Sequence, residues 1–308
     1  MRRLCFVAAA LFLTAGLWGC AGSADIGKPL PASLVTVKPA PGYARKIAVA
    51  LVQIPPTAHG KKIGDLFFDS LTRSLRRAGP GLRLVMPADE MFPAFMEQLV
   101  RDPGAPADAS DLARQGRLAG YNGVLLAAVR GLRSYSKKTG NLWFRKTSYF
   151  ISYDLTIDLY DPLTATKIIA AVEEASVEVS HDDYQAVQDK GAAKVEELEE
   201  KLVAYGEQIG AAAAALLEDS IWMIPVVMVE GQRVHLPAGR LAGLVPGARL
   251  AVFEGRRLIQ GQGKERFIVP GPRVGTVQVS TVEPESSTAV VLEGGTIQAG
   301  DIAAAVKE

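Results

Sequence analysis

The stretch SYFISYDLTIDLYD, residues 148–161, constrains the fold more than any other. Tyr149, Ile151, Tyr153, Leu155, Ile157 and Leu159 alternate with mostly polar residues. Successive side chains of a strand point to opposite faces, so this is an antiparallel strand with one face on a core and the other in water. The turn-forming KKTGN, 137–141, precedes it and DPLTAT, 161–166, follows it. Beyond those turns lie the apolar run GVLLAAVRGL, 123–132, and the alternating KIIAAVEEASVEVS, in which Ala175, Val177 and Val179 share a face. Together they predict a long meander with strands over 123–135, 143–160 and 167–180.

The flanking segments supply layers to cover that sheet. RKIAVALVQI, from Arg45, is almost wholly apolar between Ile47 and Leu51, as suits a strand buried on both faces. GKKIGDLFFDSLTRSLRRAG places Ile63, Leu66, Phe67, Leu71 and Leu75 on one helical face and stops at Gly79. LRLVMP, 82–87, predicts a short strand. ADEMFPAFMEQLVR and SDLARQGRLAG predict helices on either side of DPGAPADAS, with Pro93 early in the first. One long helix is expected from about Asp182 to Asp219, with Val187, Val195, Leu198, Leu202, Tyr205, Ile209 and Leu216 inward. From Ile221 the texture changes to short apolar strands separated by Gly and Pro: IPVVMVE, RVHLP, ARLAVFEG, RRLIQ, GTVQVSTVE, STAVVLEG and DIAAAV. That spacing predicts a small barrel. Gly239, Gly243 and Gly247, ahead of Ala248, predict turns that need positive φ.

The beginning of the chain addresses it to the cell envelope. Met1-Arg2-Arg3 is basic, LCFVAAALFLTAGLW carries no charge, and Leu17-Trp18-Gly19-Cys20 follows with a small residue before the cysteine. A basic n-region, a short apolar core and a small residue at the cut make a secretory signal, too short to remain as a spanning helix. A signal that ends on cysteine resembles the bacterial lipoprotein signal. That resemblance implies acylation of Cys20, with Leu17, Trp18 and Gly19 as the recognised box; an ordinary secretory signal with a coincidental cysteine is the alternative. Each buried methylene adds about 0.8 kcal/mol, so two or three acyl chains hold a protein durably on a membrane. Of the two cysteines, Cys5 would leave with residues 1–19, and no disulfide or thiol site would remain. The same resemblance implies that Ala21, where an Asp would retain such a lipoprotein in the inner membrane, favours the outer membrane, with the body in the periplasm. Residues 20–44, rich in Pro, Gly, Ala and Ser, read as a tether.

Catalytic chemistry leaves little trace. His59, His181 and His235 are scattered and form no metal-ligand spacing. AHGKKIGD, 58–65, offers Gly-Lys before a helix but lacks the rest of a phosphate loop. Asp154 and Asp158 lie four apart on one strand with Glu174 and Glu178 on the next, which reads as a cation or acid–base site or as the solvated face of a two-sided sheet. No cofactor and no metal is expected. A net charge of +1 gives no field to draw in nucleic acid. The strand tip YSKKTGNLWFRK sets Tyr135, Trp143, Phe144 and Arg145 among lysines, a composition that suits contact with a protein partner; base stacking and aromatics folded back on the core are the other readings.

With these elements placed, two resemblances stand out. IAVALV at 47–52, YNGVLLAAV at 121–129 and DLYDPLTATK at 158–167 resemble the N-terminal domain of the translocation protein TolB, which also occurs in the middle of flagellar assembly protein T, in the curli secretion lipoprotein and in lipoprotein activators of peptidoglycan synthases. Ala165 stands where that family usually has Gly. GQRVHLPAGRLAGLVPGARLAVFEG, RVGTVQVSTVEPESSTAVV and IQAGDIAAAV resemble the C-terminal domain of flagellar assembly protein T, with Gly300-Asp301 matching its closing pattern. The resemblance implies an α+β fold: a TolB-N-terminal-like α/β sandwich with a mixed sheet over 45–220, then a small all-β barrel over 221–308. It implies a non-enzymatic outer-membrane lipoprotein that binds periplasmic proteins, such as flagellar motor or ring components, and is compatible with a homo-oligomer. Activation of a peptidoglycan synthase and a curli-like oligomeric pore are the alternatives. In departure from that family's pattern, no separate N-terminal domain is expected ahead of the TolB-like one.

Overall fold

A computed structural model describes residues 42–55, 58–101, 109–141, 143–190, 195–260 and 266–305, all within one compact unit, Val37–Glu308. The lipobox residues Leu17, Trp18, Gly19 and Cys20 lie outside the described residues.

The expected meander is present and longer than its hydrophobic runs imply. Strands β1 (Arg45–Gln53), β2 (Leu82–Val85), β3 (Gly123–Thr139), β4 (Lys146–Asp161) and β5 (Thr166–Val179) form one sheet in the order β2-β1-β3-β4-β5. β1 runs parallel to β2 and β3, and the remaining pairs are antiparallel, so the sheet is mixed. Helices α1 (Ala58–Ala78) and α5 (Glu196–Asp219) cover one face, burying Ile47, Val49, Leu125, Val129, Leu155 and Ile157 against Phe67, Leu71, Leu75 and Leu202. Helices α2 (Ala94–Arg101) and α3 (Ala109–Leu118) cover the base of the other face, over Ala48, Ala50, Val124, Leu126 and Tyr160. That double cover is why β1 and the first half of β3 are apolar throughout, whereas β4 alternates.

Two sequence readings are corrected. Pro93 does not enter a helix: α2 begins at Ala94, after turns over Met86–Phe92, because the ring of Pro93 removes a donor while its carbonyl still accepts from Met96 N at 2.9 Å. The long helix is two described helices, α4 (His181–Lys190) and α5. In α5, Gly206 and Gly210 let it approach α1 closely: a Cβ on Gly210 would stand 2.6 Å from Leu71 O.

The tail forms a second, seven-stranded antiparallel sheet in the order β6-β14-β9-β12-β13-β8-β7. Its strands are β6 (Met223–Pro225), β7 (Met228–Glu230), β8 (Arg233–Leu236), β9 (Arg249–Phe253), β12 (Arg273–Val282), β13 (Ser287–Gly294) and β14 (Ile302–Ala304), while β10 (Arg257–Gln260) and β11 (Arg266–Val269) make a separate hairpin. The two edge strands, β6 and β7, are consecutive in the chain. Val226 N donates to Asp301 O at 2.7 Å on one side and Val227 N to His235 O at 3.0 Å on the other, so residues 223–230 join both edges and curl the sheet round its core of Trp222, Val234, Leu250, Val252 and Val277. Gly243 (φ +87) and Gly247 (φ +89) take the positive φ expected of them. Gly239 does not: its φ is −138, and its constraint is space, since a Cβ there would lie 2.1 Å from Glu283 O.

Candidate functional site

The β3–β4 hairpin runs past the rest of its sheet. β1 leaves β3 after Ala128, and β5 joins β4 only from Tyr149 onward, so the ladder from Lys137–Ser148 to Thr139–Lys146 ends as a two-stranded ribbon. The turn beyond it is held by Phe144 N donating to Asn141 O at 2.9 Å, and by Gly140 at φ +104, where a Cβ would collide with Phe144 O at 1.9 Å. This apex exposes Trp143 (89%) and Phe144 (85%), far beyond any other large apolar side chain among the described residues except Val172. The aromatics of the apex therefore do not fold back on the core. Arg145, Lys137 and Lys138 are exposed beside them. Tyr135 behaves differently: it stacks on Phe150 at 5.2 Å, and its hydroxyl lies 3.0 Å from Ser176 Oγ. It belongs to the shaft of the hairpin and supports the apex from below.

The carboxylates singled out on β4 and β5 are a solvated, ion-paired face. Arg133 reaches Asp154, and Glu174 lies 3.9 Å from the same guanidinium; Lys167 meets Asp158 at 3.0 Å, and Lys146 meets Glu178 at 3.6 Å. Among the described residues no group of three His, Cys, Asp or Glu is placed to hold a metal ion. His181 opens α4 and packs its ring against Tyr149, and His235 Nε2 lies 3.4 Å from Glu230 on the neighbouring strand. His59 is in α1, and its side chain is not described. Gly60 and Lys61 also fall inside α1 rather than in a loop before it, which corrects the reading of AHGKKIGD; Lys62 pairs with Glu199 at 2.8 Å.

The junction between the two sheets is built from groups the sequence does not single out. Arg45, buried at the start of β1, donates to Glu218 O and Ser220 O. Asn122 accepts from Lys46 N at 3.0 Å and donates to Met223 O at 2.9 Å. Trp222 donates through Nε1 to Ala44 O at 3.1 Å and stacks on Tyr43 at 4.7 Å. Burial pushes the Arg117 guanidinium down, opposed by the nearby Asp161 and Asp301 carboxylates. Asp161 itself is held above the usual carboxylate range by burial, against hydrogen bonds from Thr164 and the Leu163 amide. The cleft between Lys46, Arg83, Trp222, Leu241 and Glu285 holds about 10 Å³, no more than a single water. A larger one, about 260 Å³, lies beside Leu163, Ile168, Leu216 and Met223, with Asp161 as the ionisable group in its lining. Among the described residues no helix is long and apolar enough to cross a membrane.

Among solved structures, the chain is similar to lipoprotein GNA1162 from Neisseria meningitidis (14% identity, covering 54% of this chain and 97% of that one, TM-score 0.29), to a minor lipoprotein from Acinetobacter baumannii (12%, 56% and 94%, TM-score 0.27) and to the PelC dodecamer from Paraburkholderia phytofirmans (18%, 60% and 95%, TM-score 0.27). No curated protein matches the sequence. Residues 231–305, from the turn before β8 through β14, match the family described as flagellar assembly protein T, C-terminal domain, so this part of the chain is flagellar assembly protein T-like.

Proposed function

We propose that this protein is a non-enzymatic lipoprotein, anchored through Cys20 in the outer membrane and facing the periplasm, which acts by contact in the assembly of a flagellar basal-body or motor ring. The observation that carries the reading is the match over 231–305. The exposed hairpin apex supports a contact role, since a rigid ribbon that ends in two solvent-facing aromatics and several cations suits binding better than it suits solubility. In-cell crosslinking and affinity purification from membranes, read by mass spectrometry, tests the proposal. Recovery with motor or ring proteins supports it. Recovery with a wall synthase, or with itself alone, moves the role to synthase activation or to an oligomeric pore. A deletion strain with normal motility and intact basal bodies would remove the flagellar role. Metabolic labelling with a fatty-acid analogue checks the anchor: label lost on Cys20→Ala supports it, and an unlabelled wild type removes it.

A further inference from the structure

We infer that the apex of the β3–β4 hairpin docks on a phospholipid bilayer that carries anionic headgroups. This rests on the reading of the apex as a contact surface; it assigns that surface to lipid and leaves protein partners to the rest of the molecule.

The apex has the shape and chemistry of an interfacial wedge. Trp143 and Phe144 are neighbours at a turn, and both side chains are almost wholly exposed to solvent. Lower on the shaft the aromatics are satisfied: Tyr135 stacks on Phe150, and Tyr149 meets His181 and Tyr184 at 4.9 Å each. Of the hairpin's aromatic residues only the two apex rings are almost wholly exposed; Tyr153 and Tyr160, lower in β4, are buried in the sheet. The hairpin's own charges around them have one sign. No Asp or Glu occurs between Leu112 and Tyr153, while Lys137, Lys138, Arg145 and Lys146 cluster at the tip. Lys146 is 3.6 Å from Glu178 and remains exposed; Lys137, Lys138 and Arg145 have no carboxylate in ion-pair range among the described residues. Aromatic rings favour headgroup depth in a bilayer, and lysine and arginine beside them meet lipid phosphates. A protein pocket for this apex would need a deep, acidic, aromatic-lined cavity; a bilayer needs no shape complement.

Position agrees with this. The described chain enters at Gly42 beside the barrel, where Ala44 N donates to Ala242 O, and the apex is at the opposite end of β3, about 55 Å away at ~3.3 Å per residue. The chain from Cys20 to Gly42 spans at most about 75 Å. A lipid at Cys20 and the apex can therefore rest on one bilayer with the body lying between them.

The test uses the chain from residue 20 onward with Cys20→Ser, which carries no acyl group, and vesicles of phosphatidylethanolamine doped with phosphatidylglycerol. Of the three tryptophans, Trp18 is absent from this protein and Trp222 is buried at 1% in the barrel, so emission changes report Trp143. The expected result is co-flotation with the anionic vesicles, a blue shift, and quenching by brominated lipid. Trp143→Ala with Phe144→Ala lowers the partition at least about tenfold. Each of Lys137→Gln and Lys138→Gln lowers it about fivefold, and added salt weakens it further. Unchanged circular dichroism and thermal midpoints show that the fold survives these exposed substitutions. Absent flotation, or flotation without quenching and indifferent to Trp143→Ala, overturns the inference. A photocrosslinker at position 143 then separates the two readings: protein adducts in cells keep the apex as a protein contact, and no adducts remove both.

Discussion

The Arg117 guanidinium, at the end of α3, donates to the carbonyl oxygen of Gly255 at 3.0 Å. The same group also reaches Gly300 O, so one side chain from the mixed sheet's cover ties down two turns of the barrel. It is 8% exposed. Hydrogen bonds from a charged donor are worth about 1.5–3 kcal/mol each, and removing the donor also orphans two carbonyls. Arg117→Ala is expected to lower unfolding stability by about 3 kcal/mol. Denaturant titration checks this, and limited proteolysis should show earlier cleavage in the barrel turns. An unchanged midpoint would mean that water replaces the guanidinium without loss.

Glu285 supplies the second tie, between Lys46 at 3.1 Å and Arg83 at 2.5 Å. Burial pushes its carboxyl up, but the hydrogen bonds from Arg83 and Lys46 outweigh that and hold it below its ordinary 4.5. A carboxyl whose folded value lies below its unfolded value stabilises the fold above the unfolded value, and the contribution is lost as pH falls through the depressed one. Glu285→Gln should therefore cost about 1 kcal/mol at neutral pH, a modest figure because both partners are partly exposed. The gap from wild type should close on acidification below about 4.5. Thermal midpoints measured across that range decide it; a constant gap at all pH values would show that packing, not charge, holds the contact.

Ala165, in the β4–β5 turn, sits at φ +57, the one non-glycine residue with positive φ among the described residues. A Cβ in this region costs about 1 kcal/mol. Ala165→Gly is expected to raise stability by up to about that amount, reduced by the entropy glycine adds to the unfolded chain. Calorimetry reads the sign directly.

Gly210 makes the opposite case. Alanine is favoured over glycine inside a helix by about 1 kcal/mol. Here its Cβ would stand 2.6 Å from Leu71 O and 2.8 Å from Ser74 Cβ, neither of which can yield without moving α1. Overpacking costs about 1–3 kcal/mol, so Gly210→Ala should destabilise despite the better propensity. A stabilised variant would show that α1 and α5 have slack.

How much of this was readable in advance depends on whether the cause is local. The alternation from Tyr149 to Leu159 was legible because one strand's own period decides its faces. The extended backbone at Val195, just ahead of α5, was not, since the sequence around it carries helical texture. Arg117 gave no signal at all: its acceptors are backbone carbonyls 138 and 183 residues away, which any sequence could supply. At the apex, composition named Trp143 and Phe144 but left open which way they face. Only the early departure of β1 and the late arrival of β5 decide that, and strand lengths are a property of pairing rather than of any single segment.

The curled sheet closes through residues that lie ahead of the matched segment. The family match begins at 231, yet the stave that meets both β14 and β8 is 223–230, with Trp222 just before it in the core. A piece cut at the family boundary would carry two raw edges, free to pair with a neighbour's backbone. The structural module is thus longer than its recognisable signature, and any graft, truncation or chimera of this tail should begin no later than Trp222.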